Sequence, residues 1–401
     1  MKAVILTEPV SALEKLMTRV LEQSKGWLGF DRFMALALYA PNLGYYSART
    51  QPIGLMASSG SDFVTAPQMS PFFSRALASS IEEALRVTDT QEVWEFGAGT
   101  AEMAFEILST LGDKITRYVI LEVSVHLKDL QAQKLDAFKH KVVWLTELPE
   151  RFEGVVVGNE VLDAMPVKLL QRQQGQWFEV GVSKAQPALS SDPPSDESSL
   201  RQTPQSVDVK CDPSKARAWE WDWALAWALQ ETDFRPPLEI EGTHDYLTEI
   251  HPQGEAFVKT LADRLQKGAV FLIDYGFPER EYYHEQRSSG TLMCHQGHLA
   301  DSNPLVSVGL KDITAHVNFT SVALSAQEAG LHVLGYTTQA HFLINSGLLD
   351  LLETACLQER AMAQKLITEH EMGELFKVIA LGVGPMWEPK GFRQGDRSHT
   401  L

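Results

Sequence analysis

From about residue 92 onward, short apolar runs alternate with segments of helical spacing, and few folds satisfy that pattern. The runs at 93–96, 118–121, 142–145, 155–157 and 269–273 are almost wholly apolar, as strands covered on both faces must be. Helical stretches at 101–111, 127–138 and 254–265 separate several of them. Buried strands joined by helices are parallel, so the spacing predicts an α/β, Rossmann-like sheet. Two later runs, 331–337 and 376–383, flank a helical region at 345–370 and add two strands.

The first 85 residues carry a different period. Leu13, Leu16, Met17, Val20 and Leu21 share one helical face, as do Phe30, Phe33, Met34, Ala37 and Leu38. The second of these helices stops before Pro41, because proline disfavours helical backbone in the residue ahead of it. Residues 47–62 read as a loop, after which 70–85 returns to helical spacing. Beyond Pro166, runs at 168–170 and 177–181 predict a hairpin turning at Gln174-Gly175. Residues 190–214, rich in Ser, Asp and Pro, suit a mobile loop. Trp219, Trp221, Trp223 and Trp227 follow. They read as a helix or strand packed on the main domain, with an exposed aromatic patch for a partner as the alternative. The tail after Pro389 is polar and expected to be disordered.

Composition narrows the function classes. The 401 residues hold 35 Lys+Arg against 52 Asp+Glu, a net charge of −17. Such a surface repels a phosphate backbone, so nucleic acid is not expected as a partner. Cys211, Cys294 and Cys356 lie far apart and match no metal-ligand spacing. They read as free thiols in a reducing compartment, and no metal is expected. The first residues lack the look of a signal or transit peptide, and no apolar stretch of about 20 residues suits a membrane span. These features together are read as a soluble, cytoplasmic protein.

The segment VWEFGAGTAEMAFEIL runs a strand into Glu95-Phe96, turns through Gly97-Ala98-Gly99 and opens a helix near Thr100-Ala101. Glycine suits such a turn where a ligand approaches the backbone and φ turns positive. A dinucleotide fingerprint would need its third glycine at Glu102, which disfavours an NAD-linked oxidoreductase. Methyltransferases prefer an acid two residues before the first glycine and then G-x-G-x-G. Glu95, Gly97 and Gly99 fit, while Ala101 replaces the third glycine. One strand on, Glu122 with Val123 beside it stands where a carboxylate can bond ribose hydroxyls. The plain alternatives are an ordinary strand-to-helix turn and a solvated loop acid. The segment GVVVGNEVLDAMPV ends a fourth strand at the topological switch point, which brings Asn159, Glu160 and Asp163 toward a reacting centre. Acids there also serve as helix caps.

Taken in order, FDRFMALALYAPNLGYYS, SDFVTAPQMSPFF, EFGAGTAEMA, LEVSVHLKDLQ, GNEVLDAMPV, LIDYGF, GTLMCHQGH and DITAHVNF resemble the MidA-like family. That group of S-adenosylmethionine-dependent methyltransferases includes a mitochondrial complex I assembly factor, and the resemblance covers most of the chain. It implies a class I methyltransferase sheet of seven strands, a helical N-terminal region and an inserted accessory subdomain. The boundaries expected are 1–85 for the N-terminal region with its cofactor-covering loop, 86–166 plus 262–385 for the core, 167–261 for the insertion and 386–401 for the tail. Two departures bear on cofactor affinity more than on fold. Ala101 stands where the family has its last motif glycine, tolerable if φ there is negative, and Ser61 replaces a glycine before Asp62-Phe63.

The resemblance implies S-adenosylmethionine as cofactor and, for mitochondrial members, methylation of an arginine on a respiratory complex I subunit. A protonated guanidinium has no available lone pair. An arginine site therefore needs carboxylates that orient the fork and accept a proton. Glu160 and Asp163 are the catalytic candidates, with Asp274 at the end of the fifth strand in reserve. Tyr275, His295, His298 and His316 are candidates to line the acceptor pocket, although a lone histidine is commonly structural. Cofactor contacts are expected from Thr65, Pro67, Glu95, Gly97, Gly99, Glu122, Val123 and Asn159. The expected partner is a protein substrate, and a homodimer is left open. The competing readings are a small-molecule or RNA methyltransferase and a non-catalytic assembly factor that keeps the fold.

Overall fold

The computed structural model describes residues 8–48, 64–185, 224–297 and 299–401. The expectations for 190–214, Ser61, Cys211, Trp219, Trp221, Trp223 and His298 lie outside the described residues. Two amphipathic helices open the chain. Helix α1 (Glu8–Gln23) and, after the two-residue strand β1 (Leu28–Gly29), helix α2 (Phe30–Tyr39) bury the predicted faces against one another. Helix α2 ends at Ala40, whose ψ of 125° is the extended backbone that Pro41 imposes. The short α3 (Ala66–Met69) follows, and then α4 (Pro71–Val87), capped by the Ser70 side chain accepting from Phe72 N–H.

The sheet comes next. Strand β2 (Glu92–Phe96), helix α5 (Glu102–Leu111), β3 (Arg117–Leu121), α6 (Val125–Lys134), β4 (Val142–Leu145) and β5 (Phe152–Asn159) build its first half. An inserted sheet of β6 (Lys168–Gln173), β7 (Gln176–Lys184), β8 (Leu225–Glu231) and β9 (Tyr246–Ile250) then interrupts it. Helix α7 (Pro252–Arg264) leads back into β10 (Leu265–Phe277) and the short α8 (Glu279–Tyr282). Strands β11 (Met293–Gln296), β12 (Leu299–Asp301) and β13 (Asp312–Thr314) form a small antiparallel sheet, and β14 (Val317–Asn318) pairs with the end of β10. The chain closes with α9 (Phe319–Glu328), β15 (His332–Thr338), α10 (Gln339–Asn345), α11 (Leu348–Leu352), α12 (Leu357–Ile367) and β16 (Phe376–Val383).

In space the main sheet reads β15-β16-β10-β5-β2-β3-β4. Strand β16 is antiparallel to both neighbours, while β10, β5, β2, β3 and β4 pair in parallel. The order reverses between β2 and β5, and a ligand crevice opens outside the carboxyl ends of strands at such a point. Each predicted core run lies inside a strand, because Val155, Val156, Val157 and the residues 269–273 of β10 are covered on both faces.

The inserted sheet packs on the N-terminal helices through Leu169, Val180 and Val182. Its predicted hairpin turns on Gln174 (φ 50°) and Gly175 (φ 80°), the two positive values of a type I′ turn. Trp227 is on β8, tilted against Phe30 with ring centroids 5.6 Å apart, so a strand packed on the N-terminal helices describes it. The tail corrects the expectation of disorder. Phe392 is buried against Phe342, Asp396 accepts from Tyr336 N–H at 3.1 Å, and Arg397 pairs with Glu374. An apolar anchor, ion pairs to Glu374 and Glu83 and hydrogen bonds from Asn345 and Thr337 seat an otherwise polar segment. Among the described residues no helix is long and apolar enough to cross a membrane.

Candidate active site

A cavity of about 800 Å³ opens at the switch point, lined from the ends of β2, β3, β5 and β10 and from α2, α3 and the small sheet. Thr65, Pro67, Glu95, Gly97, Gly99, Glu122, Val123, Asn159, Glu160 and Asp163 all line it, although they come from four separate stretches of sequence. Thr65 and Pro67 do so because Thr65 caps α3 and Pro67 sits in its first turn.

The glycine turn forms one end. Gly97 (φ 68°) and Gly99 (φ 52°) both hold the left-handed backbone that glycine permits. A Cβ on Gly97 would meet the Val161 side chain at 2.9 Å, whereas one on Gly99 would meet no atom of the described residues within 4 Å. That bare edge leaves room for a ligand to approach the backbone. Ala101 departs from expectation: its φ is 67°, not negative. Left-handed backbone costs an alanine about 1–2 kcal/mol, partly offset by burying its methyl among Met103, Ala104 and neighbouring core residues.

Glu95 is buried and accepts from Tyr118 Oη–H at 2.8 Å, and burial pushes its carboxyl up to about 8. Its Oε1 has no hydrogen-bond partner among the described residues. Glu122 is held by Ser124 N–H at 2.8 Å and by Gln131 Nε2 at 2.9 Å. Gln131 also donates to the Gly99 carbonyl at 2.9 Å and accepts from Trp144 Nε1 at 2.9 Å. The ribose-binding candidate and the glycine turn are therefore fixed to one another by Gln131, the last residue of the LEVSVHLKDLQ block, which sequence reasoning did not single out.

At the other end, Glu160 holds a strained φ of 53°. Its N–H is anchored on the Ile273 carbonyl at 2.9 Å, and its carboxylate accepts from Asn159 Nδ2 at 2.8 Å and from Ala66 N–H. Strain that the surroundings over-determine is characteristic of functional sites. Burial, then the neighbouring Asp163, pushes the Glu160 carboxyl up to about 8. Asp163 receives a short hydrogen bond from Tyr275 Oη–H, and its Oδ1 has no partner among the described residues. Burial pushes it up to about 6.

Asp274 is placed differently from the other two acids. It does not line the cavity. Its Oδ2 accepts from the N–H groups of Val161, Leu162 and Asp163 at 3.2, 2.9 and 3.2 Å, and its Oδ1 from Tyr275 N–H at 2.9 Å. It ties down the loop that presents Glu160 and Asp163. Tyr275, His295 and His316 do line the cavity. Burial pushes His316 down to about 4, so it is neutral near pH 7, and its ring stands edge-on to Tyr275.

Tyr39, Tyr46 and Asp312 also line the cavity, and sequence reasoning singled out none of them. Their only signal was membership of the FDRFMALALYAPNLGYYS and DITAHVNF blocks. Among the described residues, no group of three or more His, Cys, Asp or Glu could hold a metal ion.

A seven-strand sheet with one reversed strand, a glycine turn open to a cavity and an acid at the end of the next strand define a class I S-adenosylmethionine-dependent methyltransferase. The chain belongs to the S-adenosyl-L-methionine-dependent methyltransferase family whose model matches residues 76–337. A superfamily relative from Burkholderia thailandensis, solved with S-adenosyl-homocysteine bound, is 39% identical with a TM-score of 0.85, covering 100% of this chain and 99% of that one. A protein arginine methyltransferase NDUFAF7 homologue, mitochondrial, from Caenorhabditis elegans is 23% identical over 93% of this chain and 87% of its own. Its counterpart from Danio rerio is 24% identical over 92% and 86%. These mitochondrial names overturn the expectation of a cytoplasmic protein. Scattered thiols and a missing span could not have decided it, because neither distinguishes one reducing compartment from another.

The residues present fit the cofactor: a bare backbone edge at Gly99, a carboxylate held in place at Glu122, and buried oxygens of Glu95 and Asn159 without partners among the described residues. Glu122→Ala is expected to weaken S-adenosylhomocysteine binding ten- to a hundredfold, the worth of hydrogen bonds to a charged group. Calorimetric titration checks it, and unchanged affinity would remove Glu122 from the site.

Proposed function

We propose that this methyltransferase acts on the guanidinium of an arginine side chain in a protein. The observation that carries the reading is the pair of buried carboxylates, Glu160 and Asp163, facing the same cavity as the glycine turn. Neither has a Lys or Arg partner among the described residues. Buried acids without a cation are costly, and a guanidinium supplies the missing charge with a planar fork of donors. The relatives named as protein arginine methyltransferases agree with this reading.

Bound S-adenosylmethionine supplies a methyl group on a positively charged sulfur. The chain's own work is positional and protolytic. Glu160, held by Asn159 Nδ2, orients the fork, while Asp163, steadied by Tyr275, takes the proton that frees a lone pair on the acceptor nitrogen. These residues leave the acceptor nitrogen with the lone pair that in-line methyl transfer from a bound sulfonium would need. Holding the two in line contributes about 7–11 kcal/mol.

The test uses the full-length protein, labelled S-adenosylmethionine and a mixture of peptides containing Arg, Lys, His and Gln, with the methylated residue assigned by mass spectrometry. Label on arginine is the expected result. Label confined to another residue type, with arginine unmodified, would refute the proposal and leave the methyltransferase standing.

A further inference from the structure

The acids account for positive charge in the acceptor, but they do not distinguish a guanidinium from an ammonium. Two tyrosines near the end of α2 supply a surface that does. The rings of Tyr39 and Tyr46 stack with centroids 5.6 Å apart and planes inclined by 22°, and both line the cavity. Their hydroxyls are already committed within the chain. Tyr39 donates to the Ala164 carbonyl at 2.8 Å, and Tyr46 donates to Asp312 Oδ1 at 2.8 Å. What remains for a ligand is ring face.

Among the described residues, Tyr46 is covered by the Tyr39 and Tyr45 rings and Tyr39 keeps an accessible face. Tyr45 packs edge-on against Tyr46 with centroids 5.0 Å apart. A planar group between the two stacked rings would need about 7 Å, two carbon contacts of roughly 3.5 Å, and the gap is 5.6 Å. Tyr39, by contrast, keeps 39% of its surface accessible. Its hydrogen bond to Ala164 ties the ring to the residue next to Asp163, so the face and the carboxylate are held by one loop. That loop is in turn fixed by Asp274 and by Ala315 N–H on the Asp163 carbonyl at 3.0 Å.

We infer that the Tyr39–Tyr46 stack is a cation platform that makes the acceptor site select a guanidinium over an ammonium. The inference rests on the arginine reading above. A guanidinium is planar and weakly hydrated and lies flat on an aromatic face, whereas an ammonium is compact and holds its water. Tyr46 backs the platform and leads to Asp312, so a carboxylate stands behind the rings as well as beside them.

The experiment saturates the protein with S-adenosylhomocysteine and titrates it with Nα-acetyl-arginine methylamide and Nα-acetyl-lysine methylamide. The wild type is expected to prefer the arginine probe. Tyr39→Leu is expected to weaken that probe by about thirtyfold and to leave the lysine probe within about threefold. Tyr39→Phe keeps the face but loses the Ala164 bond, so it is expected to keep the arginine preference with an affinity between those of wild type and Tyr39→Leu. S-adenosylhomocysteine affinity monitors the integrity of each variant, and Tyr39→Trp, which should keep the arginine preference, replaces the leucine variant if that one fails to bind it. Equal arginine-probe affinity in Tyr39→Leu and wild type would overturn the platform while the arginine reading stands. A wild type that binds the arginine probe no better than the lysine probe would overturn both.

Discussion

Asp163→Asn is expected to lower turnover by about 10²–10⁴-fold, the range for losing a positioned general base, with S-adenosylhomocysteine affinity within about threefold of wild type. The amide keeps the size of the side chain and can still accept from Tyr275, but it cannot take a proton from the acceptor. The pH profile carries the same information. Because burial raises the Asp163 carboxyl from 3.8 to about 6, the base is protonated and idle below that value, so the wild-type rate rises as pH passes through about 6. That rise should vanish in the asparagine variant. A variant that keeps more than about a third of wild-type turnover would reduce Asp163 to a structural acid.

The same shift has the opposite sign for stability. A buried carboxyl that binds its proton more tightly when folded stabilises at low pH and loses that contribution as pH rises. For Glu160, raised from 4.5 to about 8, the window is pH 4.5 to 8. A bound guanidinium reverses the penalty by favouring the ionised form. Acceptor binding and proton release are therefore coupled at this site.

How much of this was legible depended on whether one residue's neighbours in sequence were also its neighbours in space. The core strands were readable because a parallel strand covered on both faces must be apolar along its length, as at Val155–Val157. The small sheet was not. Its strands of three or four residues mix Cys294, His295 and Asp312 and present no period to read. Tyr46 and Asp312 are 266 residues apart and meet only when α2 and that sheet close on the same cavity, so no spacing rule could pair them. Ala101 shows a subtler limit. The turn motif was recognisable, but the sign of φ at its last position is set by how α5 enters the core, and the chain tolerates a left-handed alanine there.

Asp274 separates holding from reacting, because a strand-end acid looks the same in sequence whichever it does. Asp274→Ala removes the acceptor of three loop N–H groups and of Tyr275 N–H, all in a buried setting. At about 1–3 kcal/mol for each donor left unsatisfied, with partial relaxation, the loss is about 4 kcal/mol, and the melting temperature should fall by about 5 °C. Asp274→Asn is the informative partner. Its side-chain oxygen can still receive Val161, Leu162 and Asp163, so most of the stability should return while only the Tyr275 bond is lost. If Asp274 acts by holding the loop, turnover recovers along with the melting temperature, because Glu160 and Asp163 are again presented to the cavity. A variant that is as stable as wild type yet as inactive as Asp274→Ala would mean instead that this carboxylate takes the proton itself, and that the loop opens far enough during turnover to let it.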